Sequence, residues 1–285
     1  MGVLSFLSKQ FRYVNEYGGE IVFTYPNGYI INKPSGIDTV SIRLSQATGI
    51  NQVGATVQSR SIQPRAVTVS GRLVGPWQSV NKDNLLSVVR PDLRAKFYAD
   101  DFYLDVYPTA TPTVEPRKSA AAFQFSLLAA YPYWQNGKGT RSVLSGVAYR
   151  FKFPWNISRE YRFGEVIASQ FINVYNRGQL PVPFTVTFNA LGPCINPRIT
   201  NIYTGKFLEI KKELVGGERV IVEITHNRTY VTSSIDGDIR GALSLDSSLT
   251  RLEVGDNVLK PEAEDGMDSL LVSMDFATEE IGVTL

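Results

Sequence analysis

The chain has 285 residues, 43% hydrophobic and 20% charged, which is enough for two domains with cores of their own and too apolar for a disordered chain. A net charge of +2 supplies no basic field of the kind nucleic-acid binding needs, and a single cysteine allows no intrachain disulfide. Residues 1–11 carry no secretory signal, Phe6 stands where a myristoylation pattern requires Ser or Thr, and no apolar run reaches membrane-spanning length; a soluble protein made in the cytoplasm, without membrane insertion, is expected.

Val, Ile, Thr, Tyr and Phe dominate the periodic stretches, and 23 Gly with 15 Pro punctuate them, so the chain reads as mainly β. Residues 20–31 alternate in pieces (Ile21, Phe23, Tyr25, then Tyr29, Ile31) around Pro26-Asn27-Gly28 and predict a hairpin. A strand follows over residues 39–44, with Val40, Ile42 and Leu44 on one face, then a long glycine-rich loop over 49–61 and a strand over 66–74. Residues 81–89 predict the one helix, with Asn81 as N-cap, Leu85, Leu86, Val88 and Val89 as its apolar face, and Pro91 as its stop. Residues 96–98 and 102–107 form a second hairpin, 108–118 an exposed loop or arm with three prolines, and 119–129 a strand running into Tyr131-Pro132-Tyr133-Trp134.

A polar break at 135–140 is followed by a variable stretch to about Phe163, and then by short strands at 165–175, 184–190, 195–202, 207–211, 219–225, 230–234, 249–252 and 270–276. Turns between them fall at sandwich-like intervals. The change from a β-plus-one-helix half to an all-strand half places a domain boundary between about Gly137 and Phe163, giving residues 1–150 and 151–285, with the last residues able to pack back on the first domain.

Charge is unevenly spread. Arg60, Arg65, Arg72, Lys82, Arg90, Arg94 and Lys96 face only Asp83 and Asp92, whereas from Leu252 onward nine carboxylates meet only Lys260. Such ends could pair between subunits.

No residue carries a catalytic, cofactor or metal assignment. His226 is the sole histidine, so metal and Ser–His or Cys–His chemistry lack partners, and it reads as a turn residue. Cys194 reads as a small buried or half-buried thiol. Asp236-Gly237-Asp238 has only a fragment of a calcium loop and fits hairpin chemistry. Asp100 and Asp101, as neighbours on an extended strand, would point to opposite faces and could not flank one glycosidic bond. Tyr133, Trp134 and Trp155 could stack on a sugar but read as mortar between domains. No phosphate loop occurs, so no enzyme and no cofactor are expected.

Three segments carry a family likeness: FQFSLLAAYPYW at residues 123–134, VYNRGQLPVPF at 174–184 and LEVGDNVL at 252–259, the last read as a tight Gly255-Asp256-Asn257 turn. In this order and at these separations they resemble the distal tail protein family of long-tailed bacteriophages, with the strand at 66–74 before the single helix adding to the likeness. The resemblance implies an N-terminal β-sandwich or split-barrel ring domain with one helix, and a C-terminal galectin-like β-sandwich. It further implies a homo-oligomeric ring, hexameric in the family, at the virion tail tip or baseplate. The partners implied are the tail tube protein, the tail hub or tail-associated protein and receptor-binding or baseplate proteins, with DNA only in transit. Residues 1–19 are longer and more aromatic than a minimal family start, and no large insertion interrupts the second half.

Within that reading the basic cluster 60–96 is expected at subunit or partner interfaces, since a basic lumen would hold the phosphate backbone. The second half is expected to be a docking platform, with residues 262–268 as a charged handle. The alternative is a carbohydrate-binding tail protein touching the host wall, disfavoured because strand alternation would bury most aromatics of that half.

Overall fold

The structure is a computed structural model that describes residues 10–75, 78–116, 120–144, 146–148, 165–167 and 171–283. Trp155, residues 1–9 and the boundary at 150/151 lie outside the described residues. The chain divides into two compact units, Met1–Gly137 with Glu280–Leu285, and Lys138–Glu279.

In the first unit the strands are β1 (Phe11–Asn15), β2 (Glu20–Val22), β3 (Tyr29–Ile31), β4 (Ile42–Ala47), β5 (Thr56–Ile62) and β6 (Arg65–Leu73). After the helix α1 (Gln78–Val88) come β7 (Ala95–Ala99), β8 (Phe102–Pro108), β9 (Thr113–Glu115), β10 (Ala121–Ala129) and β11 (Trp134–Asn136). The main sheet runs β2-β1-β7-β8-β10-β6-β3. Its two ends are successive strands joined by residues 23–28, so the sheet curls into a nearly closed barrel. The expected hairpin at 20–31 is therefore not formed. Tyr25–Asn27 is a single 3-10 turn capped by Gly28 in the left-handed region, and it sends β2 to β1 and β3 to β6.

Alternation accounts for the core. Phe11 and Tyr13 on β1, Phe97 on β7, Leu104 and Val106 on β8, Phe123, Phe125 and Leu127 on β10, and Val67, Val69 and Leu73 on β6 all point inward and are buried. Each such side chain contributes about 1.5–3 kcal/mol on leaving water. Phe11 stacks on Phe97 at 5.6 Å between centroids, and Phe23 meets Phe123 and Phe125 at 6.4 and 6.1 Å. Gly71 permits this closure, because a Cβ there would lie 2.2 Å from the Ile30 carbonyl oxygen and 2.9 Å from the Phe123 ring. Leu85 and Val88 of α1 complete the core.

The helix starts a turn earlier than expected, so Asn81 lies inside it and is not its cap. Asn81 instead holds the 25–28 turn, its amide donating to the Asn27 carbonyl at 3.4 Å and its own carbonyl accepting from the Tyr29 hydroxyl at 3.1 Å. Asp100 and Asp101 sit in the β7–β8 turn and not on a strand; Asp100, at φ 53°, accepts the Gln10 N–H at 2.8 Å. The segment at 108–118 is no free arm, since β9 pairs back on β10.

Arg65 is buried inside this unit. Its Nε donates to the Pro132 carbonyl at 2.6 Å, Nη1 to Gly36 and Ile37 at 3.0 and 2.6 Å, and Nη2 to Ile281. Trp134 lies beneath it at 6.0 Å and donates its indole N–H to the Ile37 carbonyl at 3.0 Å. Burial pulls the guanidinium down to about 10, with Asp38 and Tyr133 opposing. Two expectations change. Arg65 is no interface residue, and Trp134 is core of the first unit, neither sugar platform nor mortar between domains.

The second unit contains β12 (Thr140–Val143), β13 (Gly146–Ala148), β14 (Glu165–Ile167), β15 (Ile172–Asn176), β16 (Phe184–Ala190), β17 (Cys194–Ile195) and β18 (Arg198–Asn201). It continues with β19 (Phe207–Glu209), β20 (Glu213–Leu214), β21 (Arg219–Ile224), β22 (Thr229–Ser233), β23 (Gly237–Asp238), β24 (Gly255–Glu262) and β25 (Leu270–Phe276). A sheet of order β12-β25-β16-β21-β22-β23 and one of order β15-β24-β18-β19 enclose one core, including Val186, Phe188, Val222 and Met274 from the first and Val174, Ile199, Leu208 and Leu259 from the second.

Asn196, at φ 50°, splits the expected strand 195–202, and residues 165–175 hold two strands instead of one. Residues 249–252 make only an isolated bridge from Leu252 to Val182. Asp256 and Asn257 belong to β24, so the expected tight turn is confined to the residues before them. Asn257 explains the motif: fully buried, its amide donates to the carbonyls of Val174, Glu253 and Gly255, and its Oδ1 accepts the Glu253 N–H at 3.0 Å. Asn176 does the same for its turn, donating to Leu180 at 2.8 Å and accepting the Gly178 N–H at 3.0 Å.

Glu218 is buried and accepts from Ser233 Oγ at 2.6 Å, from the Val215 N–H at 3.2 Å and from Lys212, which also reaches Asp236 at 2.9 Å. Burial works to raise its pKa, but Lys212, Ser233 and Val215 outweigh it and hold the carboxylate below its ordinary range.

Two predictions follow from these buried charges. Arg65→Met should cost about 3 kcal/mol or more in urea unfolding, because the carbonyls it satisfies are left without a donor; an unchanged midpoint would remove its structural role. Glu218, with its folded pKa depressed, stabilises fully above about pH 4.5, and that contribution disappears as pH falls through the folded value. E218Q should therefore lose about 2 kcal/mol at pH 7 and converge with the parent as pH falls through the folded value, measured by unfolding across pH.

Candidate assembly surface

Among the described residues the β4–β5 hairpin pairs with no other strand, and every residue of both strands is exposed or half-exposed. Its base is closed by the Gln63 N–H donating to the Ser41 carbonyl at 2.9 Å. The stretch expected as a loop at 49–61 is thus a loop only to residue 55 and a strand from Thr56 onward. Thr56–Ile62 escaped notice because period-2 patterning marks strands with one buried face, and β5 has none.

Cross-strand register sorts its side chains, since residues opposite one another share a face. Ile42 opposite Ile62, Leu44 opposite Arg60 and Gln46 opposite Val57 form one face; Arg43 opposite Ser61, Ser45 opposite Ser59 and Ala47 opposite Thr56 form the other. The first is apolar, with Ile42, Leu44, Val57 and Ile62 at 57, 50, 53 and 50% exposure. At the tip, Ile50 and Val53 stand free in solvent. The second face carries Arg43 among small side chains, Ser45, Ala47, Thr56, Ser59 and Ser61.

The outer face of the barrel is of a different kind. Arg12 lies over Tyr98 at 4.2 Å, Lys96 over Tyr103 at 4.1 Å and Arg94 over Tyr107 at 5.9 Å. Tyr98 and Tyr103 meet at 5.7 Å, and the Tyr103 hydroxyl donates to Gln135 at 2.9 Å. Tyr103, Asp105 and Tyr107 share this face of β8, with Leu128 of β10 opposite Tyr107. Of the basic cluster, Arg60, Arg72, Lys82, Arg90, Arg94 and Lys96 are exposed, and Arg90 pairs with Asp92.

In the second unit the expected charged handle is largely consumed within the chain. Glu262 takes Lys260 and Thr200 at 2.8 Å each and has Arg198 at 3.9 Å. Glu264 accepts from Asn196 at 2.6 Å, and Asp265 caps the Gly266 N–H at 2.8 Å. Burial favours the neutral form of Glu262, yet Lys260 and Thr200 hold its pKa low. The expectation that most aromatics here are buried fails. Phe184, Phe188 and Phe276 are buried and Phe207 lies half-buried under Arg198 at 3.9 Å, but Phe171, Tyr175, Tyr203 and Tyr230 are exposed, because they occupy the solvent side of their strands and loops.

The remaining candidates take structural roles. His226 is more than a turn residue, its Nε2 lying 2.8 Å from the buried Glu279 carboxylate. Cys194 is buried, which pushes its thiol up to about 11, with Asp265 adding to the shift. Asp236 holds Lys212, and Asp238 accepts the Arg240 N–H at 3.0 Å, around Gly237 at φ 72°. Among the described residues no His, Cys, Asp and Glu group is placed to hold a metal, and no helix is long and apolar enough to cross a membrane.

Residues 177–277 match the family model SPP1_Dit, described as the siphovirus-type tail component, C-terminal domain. Comparison with curated proteins gives no match. Among solved structures, the Dit protein of phage SPP1, described as a paradigm of the hub adsorption apparatus in phages infecting Gram-positive hosts, aligns at TM-score 0.69 and 12% identity over 94% of this chain and 98% of that one. A chain of the phage P2 baseplate in its activated conformation with calcium aligns at TM-score 0.49 and 12% identity over 97% and 100%. The family resemblance read from the sequence holds, and so does the mainly β fold with one helix. Neither the family description nor that of the SPP1 protein names an enzyme.

Because the hairpin is uncovered, L44S with V57S should leave the thermal unfolding midpoint of a dilute sample within about 0.5 kcal/mol of the parent. The same change should reduce binding of a hydrophobic dye. A large loss of stability would mean that the hairpin packs on its own chain.

Proposed function

We propose that this chain, whose second unit carries the siphovirus tail-component domain and whose fold is that of SPP1 Dit, is a structural part of a phage tail tip. In this reading copies close into a ring, hexameric as the family resemblance implies, that joins the tail tube to the tail hub and receptor-binding proteins and lets DNA pass. The observation that carries it is the β4–β5 hairpin, amphipathic yet exposed along both strands. A two-stranded ribbon is marginal alone in water, so an arm of this kind draws its stability from a surface outside the chain. Contacts between unlike patches on identical subunits propagate head to tail and close when the rotation permits.

The second unit serves as the docking platform for the neighbouring tail proteins. A second reading, direct contact with wall polysaccharide, draws on the exposed Phe171 and Tyr175 beside Asn173. Against it, the polar groups of that face are already engaged with one another: Asn173 with Asp256, and Glu262 with Lys260 and Thr200. A sugar hydroxyl would have to displace these bonds and offset their loss.

Electron microscopy of the purified full-length protein should show closed rings, and deletion of residues 48–55 at the hairpin tip should weaken them without lowering the unfolding temperature. A parent protein that stays monomeric at every concentration would refute the ring. Glycan binding lost on F171A or Y175A would favour the wall-sugar reading instead.

A further inference from the structure

We propose that the apolar face of the β4–β5 hairpin docks on the outer face of β7, β8 and β10 of a second copy of this chain, placing Arg60 of one copy against Asp105 of the next. This rests on the ring reading and names the two surfaces that meet in it.

The two faces complement each other chemically. The hairpin offers Ile42, Leu44, Val57 and Ile62 around a single cation, Arg60. The barrel offers Tyr103, Tyr107 and Leu128 around a single carboxylate, Asp105, at two-residue spacing between the tyrosines. Tyrosine and arginine are the residues that anchor protein interfaces, through large rigid area and several donors per side chain. Arg94 and Lys96 are held over the rings of Tyr107 and Tyr103, which pre-orders the acceptor face.

The charges give the register. Among the described residues the side chain of neither Arg60 nor Asp105 makes a hydrogen bond or ion pair within its own chain. Lys96 stands opposite Asp105 in the strand register but rests on the Tyr103 ring. Covering the hairpin face would strip water from Arg60, and covering the barrel face would strip it from Asp105, whose cross-strand neighbour Lys96 rests on the Tyr103 ring; an opposite charge on the covering surface offsets that cost. A twofold contact of hairpin on hairpin would instead bring Arg60 against its own copy. The contact must therefore join unlike patches, which is the head-to-tail kind that rings require.

The test is charge reversal in the full-length protein, with R60E, D105K and the double variant compared by sedimentation velocity and electron microscopy. Both positions are exposed, so the unfolding temperatures should match the parent and serve as the control for folding. Each single variant should lose about tenfold or more in assembly affinity, and the double should recover most of it. Single variants that assemble like the parent, or a double no better than the singles, would overturn the Arg60–Asp105 contact while the ring stands. A parent that never assembles would overturn the ring reading itself, and this contact with it.

Discussion

The first unit depends on a buried positive charge whose hydrogen bonds go to backbone carbonyls. Arg65 opens β6 and spends its donors on the carbonyls of Gly36, Ile37, Pro132 and Ile281, which come from three irregular segments far apart in sequence. Irregular backbone inside a core is costly because its carbonyls have no ladder to bond to. A planar fork with five N–H groups answers several of them at once, where a lysine would answer fewer and tolerate burial less well. Gly36 belongs to the same arrangement: at φ 80°, a Cβ there would lie 2.0 Å from the Ala66 carbonyl oxygen, so only glycine lets the segment approach β6. The return of the chain at Ile281 and Val283 is thereby written into the barrel from its other end, Val283 donating to the Ile37 carbonyl.

Much of the fold was legible, and the reasons are specific. β10 and β16 lie where alternation put them because one face of each is packed and the other wet. The β7–β8 hairpin was legible from its two short alternating runs, at residues 96–98 and 102–107. What failed shares a different cause. The strands at 20–31 read correctly as strands, but pairing is a tertiary choice: β2 and β3 serve opposite ends of one sheet, which no local pattern records. Asn81 looks like a cap by composition yet is recruited by Asn27 and Tyr29.

The candidate assembly surface was the least legible part. Family likeness pointed to a ring, but the surface that supports it lies on strands without a buried face, and its sidedness emerges only from cross-strand register. Counting charges misled for a related reason. The acidic end of the sequence looked like a free field, whereas Glu253 has Lys206 at 3.9 Å, Glu262 has Lys260, and Asp275 has Arg141 at 3.8 Å. Sign asymmetry along a chain says little about the surface potential once strands from elsewhere bring their counter-charges alongside.

The placement of the hairpin within the barrel has a consequence of its own. β3 and β6 are neighbours in the sheet, with Tyr29 opposite Leu73, so the residues between them leave and re-enter the barrel at adjacent points. Strands so placed would otherwise be joined by a tight turn. The barrel's integrity is thus independent of how far the excursion extends beyond its Ser41–Gln63 base. Doubling such a loop adds only about 0.6 kcal/mol in closure entropy. The reach of the arm is therefore a length that can drift, residue by residue, while the scaffold that carries it stays the same.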